Sequence, residues 1–88
     1  MSKPFDMELF LTSVLTGSHA TRQRHLRQAN TIQKTIAERW QREDPWRWKR
    51  KHLLYFMNTK SKSSAKITMY RYELTVRLIA LRMGKRWF

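Results

Sequence analysis

Apolar residues recur at spacings of three and four over most of the chain, a pattern that predicts helices and no strands. The pattern is most continuous from Ser63 to Met83, where Ser64 is a natural N-cap and Gly84 a natural stop. Two apolar stripes lie side by side on this segment: Ile67, Tyr70, Leu74, Leu78 and Leu81 form one, and Tyr72, Val76, Ile79 and Met83 form the other. So wide an apolar arc predicts a mostly buried helix against which the others pack, with Thr75 on its remaining polar strip.

The first predicted helix runs from Pro4 to about Thr16 and is closed by Gly17, which tolerates the positive φ of a helix end. Apolar side chains occupy nearly its whole circumference. One interpretation is a helix that packs on the core. The other is a helix that also binds a second chain, either another protein or a copy of this one, through Phe5, Leu9 and Phe10.

Two further helices are predicted in the middle of the chain. The second begins after the N-cap Ser18 and runs to about Arg42, with an expected ion pair between Glu38 and Arg42. The third opens at Asp44-Pro45, a capping residue followed by a proline suited to the first helical position, and runs to about Asn58. The predicted fold class is therefore all-α, a compact bundle of four helices.

The length and charge of the chain limit its class. A chain of 88 residues allows one domain, so we expect residues 1–88 to form a single helical domain, with an apolar N-terminal helix in residues 1–17. Lys and Arg number 19 against 6 Asp and Glu, giving a formal net charge of +13. Such a surplus predicts an anionic partner: nucleic acid is the first choice, and an anionic membrane surface is the main competitor.

Membrane insertion and catalysis are not predicted. No apolar run approaches the roughly 20 residues of a membrane span, and Asp6 and Glu8 stand where a signal peptide would be positively charged. We therefore expect a cytoplasmic protein. The chain has no cysteine, its three histidines lack metal-ligand spacing, and no glycine-rich loop is present. The expectation is a non-enzyme without catalytic residues, metal or cofactor.

The positive residues occur in clusters, and no acidic residue interrupts the segment from Ser18 to Ala37. Trp46 and Trp48 lie inside one cluster; the simpler interpretation is that both pack in the core, and the alternative is that one stacks on a base. Thr68 is a side chain able to read bases. The candidate nucleic-acid-binding cations are Arg22, Arg24, Arg27, Lys34, Arg47, Lys49, Arg50, Lys51, Lys60, Lys62, Lys66 and Arg71.

Short motifs at both ends of the positive region are similar to those of a known family. Ser18-His-Ala-Thr21 is followed by His25, and Thr68 is followed by Tyr72, Val76 and Arg77. This spacing resembles the helical core-binding domain of tyrosine recombinases and phage integrases, in which S-x-x-T opens the first helix and T-x-x-x-Y-x-x-x-L-R marks the last. The likeness extends from Ser18 to about Trp87, so residues 18–88 are the core-binding-like region.

The resemblance implies a four-helix, SAM-like domain that clamps duplex DNA opposite a catalytic domain. By matching position it implies a DNA-facing group of Thr21, Arg22, Arg24, Thr68 and Arg71. The chain departs from the family pattern in three respects, the first of which is Val76 in place of the usual Leu. Alanine occupies position 65, where a second capping serine usually stands, so Ser64 is expected to take that role, and there is no room for a catalytic domain.

Several functions remain open at this point. The leading hypothesis is a protein that grips duplex DNA through a basic helical face built by the second helix, the start of the third and the loop into the fourth, in a phage, plasmid or integrated element. The second is an inhibitor or adaptor from a mobile element that binds a host protein complex. The third is RNA binding through Trp46 and Trp48, and the fourth is binding to a membrane surface.

Overall fold

The computed structural model describes residues 5–88 and confirms the all-α prediction: within that range there are four α-helices and no strand. The helices pack into one compact body whose principal extents are 38 × 29 × 26 Å. A single 3-10 turn lies between the second and third helices. The helices are α1 (Met7–Leu11), α2 (His19–Trp40), α3 (Arg50–Ser61) and α4 (Lys66–Arg82), and the 3-10 turn is Pro45–Arg47.

Helix α1 is much shorter than predicted. It begins after Asp6, whose Oδ1 accepts a hydrogen bond from the backbone N–H of Leu9 at 3.2 Å; the predicted first residue, Pro4, lies outside the described range. It ends at Leu11, where the backbone N–H of Thr12 donates to the carbonyl of Leu9 at 3.4 Å and the Thr12 hydroxyl donates to the carbonyl of Glu8 at 2.7 Å. Gly17 has the expected positive φ, 94°, but α1 ends six positions before it, so the predicted stop at Gly17 is wrong.

Helix α2 begins as predicted, because Ser18 Oγ accepts a hydrogen bond from the N–H of Thr21 at 3.2 Å. Its C-cap is Gln41, which adopts the left-handed conformation with a φ of 57°. The predicted ion pair between Glu38 and Arg42 is wrong, because the only salt bridge within residues 5–88 joins two other side chains. The Arg42 guanidinium instead donates to the carbonyl of Arg47 at 3.4 Å.

The predicted third helix is divided into two pieces. Asp44 caps only the 3-10 turn, through a 2.9 Å hydrogen bond from the N–H of Trp46 to its Oδ1. The chain then runs extended through Trp48 and Lys49 before α3 begins. The break allows Trp48 to enter the core, where its indole N–H donates to the carbonyl of Arg42 at 2.8 Å. The start predicted at Asp44 is therefore wrong, and α3 ends a few residues beyond the predicted Asn58.

Helix α4 begins after Ala65 rather than after the predicted N-cap Ser64, and Gly84 follows its C-terminal end. Ala65 is the N-cap and makes no side-chain capping bond, so the expectation for Ser64 is wrong. Gly84 has a φ of 72° and follows the helix as predicted. The buried residues of α4 are Thr75, Val76, Ile79 and Ala80.

Only one of the two apolar stripes on α4 enters the core, so the prediction of a mostly buried helix is wrong. Ile67, Tyr70 and Leu81 are 56%, 57% and 63% exposed. The reason is geometric: α1, α2 and α3 cover one side of α4, and the described chain has no further helix for the other side. Thr75, predicted on the polar strip, is fully buried.

The hydrophobic core lies where the four helices meet. Both α2 and α4 contact each of the other three helices, so α2 shares the central position predicted for α4 alone. Edge-to-face aromatic pairs join the layers, with Trp40 on α2 against Tyr55 on α3 at 4.9 Å and Phe56 on α3 against Tyr72 on α4 at 5.1 Å. The fully buried core side chains include Leu11, Ile32, Ile36, Leu53, Phe56, Val76 and Ile79.

Candidate nucleic-acid interface

A buried hydrogen-bond network fixes α2 against α4. The Thr75 hydroxyl donates to Gln28 Oε1 at 2.8 Å. The Thr75 Oγ1 atom also lies 2.8 Å from His25 Nδ1 and 3.3 Å from the carbonyl oxygen of Arg71. Because a hydroxyl has a single proton and that proton goes to an acceptor, Nδ1 of His25 carries a proton and donates to Thr75. The network fixes the lateral position of one helix on the other.

Positive side chains surround this contact. Arg24 precedes Gln28 by about one helical turn, and Arg71 precedes Thr75 by the same step. Arg27 and Arg71 are exposed, whereas Arg24 is half-buried. We define Arg24, Arg27, Thr68 and Arg71 as the α2–α4 surface. Lys66 lies nine positions before Thr75 and therefore on the opposite side of α4.

The cations of the α2–α4 surface have no anionic partner. The only salt bridge within residues 5–88 joins Arg77 to Glu73, at 2.9 Å. In the same range the Arg24 Nε is buried and lacks any hydrogen-bond partner. No Asp or Glu occurs in residues 18–37 or in residues 45–72. Unpaired positive charge therefore accumulates on this side of the protein.

Two predicted binding residues lie elsewhere, among the acidic side chains. Arg22 lines a cavity with Glu8 of α1. Lys34 lines another with Glu38 and Glu43. The sequence grouped both with Arg24 because they share a helix, but each of them lines a cavity together with at least one carboxylate.

A second cationic group forms at the far end of α2, made of Arg47, Lys49, Arg50 and Lys51, all exposed. The backbone of Arg47 accepts from Arg42, and Arg50 Nε donates to the carbonyl of Trp87 at 3.4 Å. Gln28 and Trp40, the last residue of α2, are 12 positions apart, so the far end of α2 lies about 18 Å from Gln28 along the helix axis. Lys60, in the last turn of α3, is half-buried, and Lys62, which follows that helix, is exposed.

The hydroxyl of Thr21 has a structural role. Ser18 Oγ donates to Thr21 Oγ1 at 3.1 Å, and it also accepts from the Thr21 backbone at 3.2 Å. The S-x-x-T motif therefore acts here as a helix cap. Thr68 is half-buried at the start of α4.

The two tryptophans have different environments. Trp48 is only 3% exposed and Trp46 is 51% exposed, so the interpretation that both pack in the core is wrong for Trp46. The Trp46 ring meets Phe10 edge to face at 5.2 Å, and the Arg82 guanidinium lies 5.0 Å from its centroid. Trp46 therefore forms one cluster with the predicted interface residues of α1, in which Phe10 is buried and Leu9 is 74% exposed.

Two histidines are held in the neutral form. Burial, followed by the charge of Arg24, lowers the pKa of His25 below 6.5. Burial also lowers the pKa of His52, and the charges of Arg42, Lys51 and Lys49 lower it further. His52 is fully buried, and its Nδ1 accepts the N–H of Lys49 at 2.7 Å to cap α3. Both imidazoles support the packing of helices that carry the cations.

Comparison of the chain with protein-family models, with curated proteins and with solved structures gives no match. The likeness to the integrase core-binding domain therefore stays a prediction. Within residues 5–88, no group of three His, Cys, Asp or Glu side chains is arranged to hold a metal ion. No helix in that part of the chain combines the length and the apolar character needed to cross a bilayer.

Sequence reasoning missed the residues that organise this surface. Thr75 lies three positions after Tyr72 and four before Ile79, so its spacing placed it on the buried stripe, and only its polarity suggested otherwise. Arg82 donates from Nε to the carbonyl of Phe10 at 2.7 Å and holds α1 in place. No local pattern predicts that bond, because its partner is 72 positions away.

Proposed function

We propose that this protein binds duplex DNA, without catalysing a reaction, through the α2–α4 surface. The observation that carries the proposal is the set of unpaired cations around the buried bond between Thr75 and Gln28. Two rigid helices fixed to each other present these cations at constant spacing. A fixed array of cations matches the regular phosphate spacing of a duplex better than the variable spacing of a flexible polyanion. Because folding has already ordered the two helices that carry the cations, binding does not have to order them.

Phosphate neutralisation supplies the binding free energy in this proposal. Each Lys or Arg that contacts a phosphate releases condensed counterions, so affinity falls as salt rises, by a factor that grows with the number of contacts. The second cationic group, Arg47 to Lys51, extends the footprint along the duplex. The setting we propose is a phage, plasmid or integrated element, on the basis of the integrase likeness alone.

Duplex DNA is favoured over single-stranded nucleic acid. Single-strand binders stack bases on exposed aromatic faces. The most exposed tryptophan, Trp46, is engaged by the edge of Phe10 and by Arg82. It also lies with α1, apart from the α2–α4 surface.

The experiment compares two double variants of equal charge by fluorescence anisotropy with a short labelled duplex. R27Q/R71Q removes two exposed cations of the α2–α4 surface, and R22Q/K34Q removes two exposed cations of α2 that line cavities together with carboxylates. At about 150 mM salt, two lost phosphate contacts weaken binding by about 30-fold. We expect this loss for R27Q/R71Q and a change of less than about threefold for R22Q/K34Q, because non-specific charge effects are small by comparison.

Three results would reject the proposal. The first is equal weakening by the two double variants, which would show that net charge alone attracts DNA. The second is a preference of the wild-type protein for single-stranded DNA or RNA of the same length. The third is the absence of any binding to DNA in dilute buffer.

A further inference from the structure

The outer stripe of α4 is an apolar surface that the fold leaves without a partner. Ile67, Tyr70 and Leu81 are 56%, 57% and 63% exposed, and Leu74 and Leu78 between them are half-buried. From the first to the last of these residues the stripe covers 14 positions, about 21 Å along the helix. A contiguous apolar stripe of this length is unusual on a free protein surface and marks an interaction site.

The stripe borders a cavity that can receive an apolar side chain. Its volume is about 250 Å³, and three leucines of α4 form its apolar lining, with three further residues around them. The lining residues are Leu74, Leu78 and Leu81, with Arg77, Thr16 and His25. The stripe therefore combines raised apolar side chains with an adjacent recess. The sites that contribute most of the binding free energy of an interface have this form, because an anchor side chain of the partner enters the pocket and loses its contact with water.

Positive charge follows both edges of the stripe. Lys66 and Arg77 lie along one edge by helical position, and Arg71 lies along the other. All three are exposed. The single carboxylate on this part of α4, Glu73, is already paired with Arg77 at 2.9 Å. A partner whose apolar face fills the stripe therefore meets cations on both flanks.

We propose that the outer stripe of α4 binds an acidic amphipathic helix of a partner protein. The spacing of three, four, four and three residues from Ile67 to Leu81 is that of a helix seam, so a second helix lies along it with its own apolar residues interleaved. Glutamates and aspartates on the flanks of that helix pair with Lys66 on one edge and Arg71 on the other. Such a partner matches both the apolar and the electrostatic character of the site.

A second copy of this chain is a poor occupant. Two stripes facing each other would bring Lys66, Arg71 and Arg77 of each copy together, with Glu73 already engaged. Each copy also carries a formal net charge of +13. Like charges facing one another across an interface suppress association.

The test uses defined peptides and the full chain. The probe is a labelled synthetic peptide of about three heptads, with leucines at the a and d positions and glutamates at the e and g positions, where their repulsion keeps the peptide monomeric. Two control peptides carry lysine in place of every glutamate, or serine in place of every leucine. Anisotropy at about 150 mM salt gives the affinity of each peptide, under conditions that screen unspecific attraction.

The expected result is binding of the Glu/Leu peptide, with the Glu/Ser peptide at least about tenfold weaker and no binding of the Lys/Leu peptide. The variant Y70S/L81S alters only exposed side chains of the stripe, and we expect it to bind the Glu/Leu peptide about tenfold or more weakly than the wild-type protein does. The matched control L9S changes a residue that is 74% exposed on α1 and leaves the affinity unchanged. Thermal melting by circular dichroism verifies that each variant is folded.

Several results would overturn the proposal. Equal binding of the Glu/Leu and Glu/Ser peptides would show a purely electrostatic attraction. A loss with L9S as large as the loss with Y70S/L81S would place the site elsewhere. If the wild-type chain dimerises at micromolar concentration and Y70S/L81S does not, a second copy is the occupant. If only anionic lipid vesicles bind, and Y70S/L81S abolishes that binding, the stripe is a membrane contact. Y70S/L81S keeps Arg71, the cation that the stripe shares with the α2–α4 surface, so its affinity for duplex DNA is expected to match that of the wild-type protein.

Discussion

Replacing Thr75 by valine tests the bond network that fixes the α2–α4 surface. Valine keeps the branched shape of the side chain but removes the hydroxyl that joins α2 to α4. The hydroxyl lies 2.8 Å from Gln28 Oε1 and 2.8 Å from His25 Nδ1, and Thr75 is fully buried. The variant therefore leaves the volume of the core almost unchanged and strands two polar groups.

The expected loss follows from those contacts. Each hydrogen bond contributes about 1 kcal/mol to the free energy of unfolding, and a buried donor left without a partner costs about 1–3 kcal/mol. His25 is 8% exposed, so water reaches its Nδ1 poorly after the substitution. The methyl group that replaces the hydroxyl is buried, and its burial offsets part of this loss of stability. We expect Thr75→Val to lower the free energy of unfolding by about 2–3 kcal/mol.

Urea unfolding followed by circular dichroism measures this loss. The midpoint falls while the slope with denaturant stays constant, because the surface exposed on unfolding is the same. In a thermal scan the expected loss lowers Tm by about 8–20 °C for a domain of this size. A double-mutant cycle with Gln28→Leu isolates the bond between Gln28 and Thr75, with a coupling energy of about 1 kcal/mol.

The matched control is Thr35→Val, the same substitution on α2. The Thr35 hydroxyl donates only to the carbonyl of Thr31, within its own helix, at 2.9 Å. We expect this variant to lie within about 0.5 kcal/mol of the wild-type protein. If Thr75→Val were equally mild, the network would not hold the helices together, and the fixed spacing of the cations would lose its physical basis.

Two further predictions concern the histidines and the anchor of α1. The folded-state pKa values of His25 and His52 are lowered below 6.5, so the unfolded chain binds protons that the folded chain does not. Stability is therefore highest well above pH 6.5 and falls as the pH is lowered through 6.5. Urea midpoints will show this fall, which is less steep for His52→Gln. A flat or rising profile would contradict this. Arg82→Ala removes the 2.7 Å hydrogen bond to the Phe10 carbonyl and the contact of the guanidinium with the Trp46 ring. We expect the free energy of unfolding to fall by about 1–3 kcal/mol and limited proteolysis near Gly17 to accelerate. Unchanged proteolysis would show that α1 is held by packing alone.

The helix pattern was predictable where local chemistry decides it. Ser18 and Gly84 mark ends of helices in the structure as they do in the sequence, because capping and positive φ depend on one or two residues. The break at Trp48 was not predictable from spacing, since it depends on burial of an indole whose N–H bonds to Arg42. Tertiary packing overrode the local helical pattern there.

The candidate site was predictable in composition and less so in geometry. The excess of cations and the acid-free segment from Ser18 to Ala37 are properties of the chain and indicate an anionic partner. Arg22 and Arg24 are two positions apart and therefore lie on different sides of α2. The position of α1 decides that Arg22 lines a cavity together with Glu8, and no spacing within α2 encodes that position. Similarly, the exposure of Tyr70 reflects the number of helices available to cover α4, which no periodicity in α4 itself encodes.

The most direct test of the central claim is the salt dependence of duplex binding for the wild-type protein, R27Q/R71Q and R22Q/K34Q. A plot of the logarithm of the association constant against the logarithm of salt concentration loses about 0.9 of slope for each phosphate contact removed. The account predicts a slope shallower by about 1.8 for R27Q/R71Q and unchanged for R22Q/K34Q. Identical slopes for the two variants would contradict a DNA interface on the α2–α4 surface.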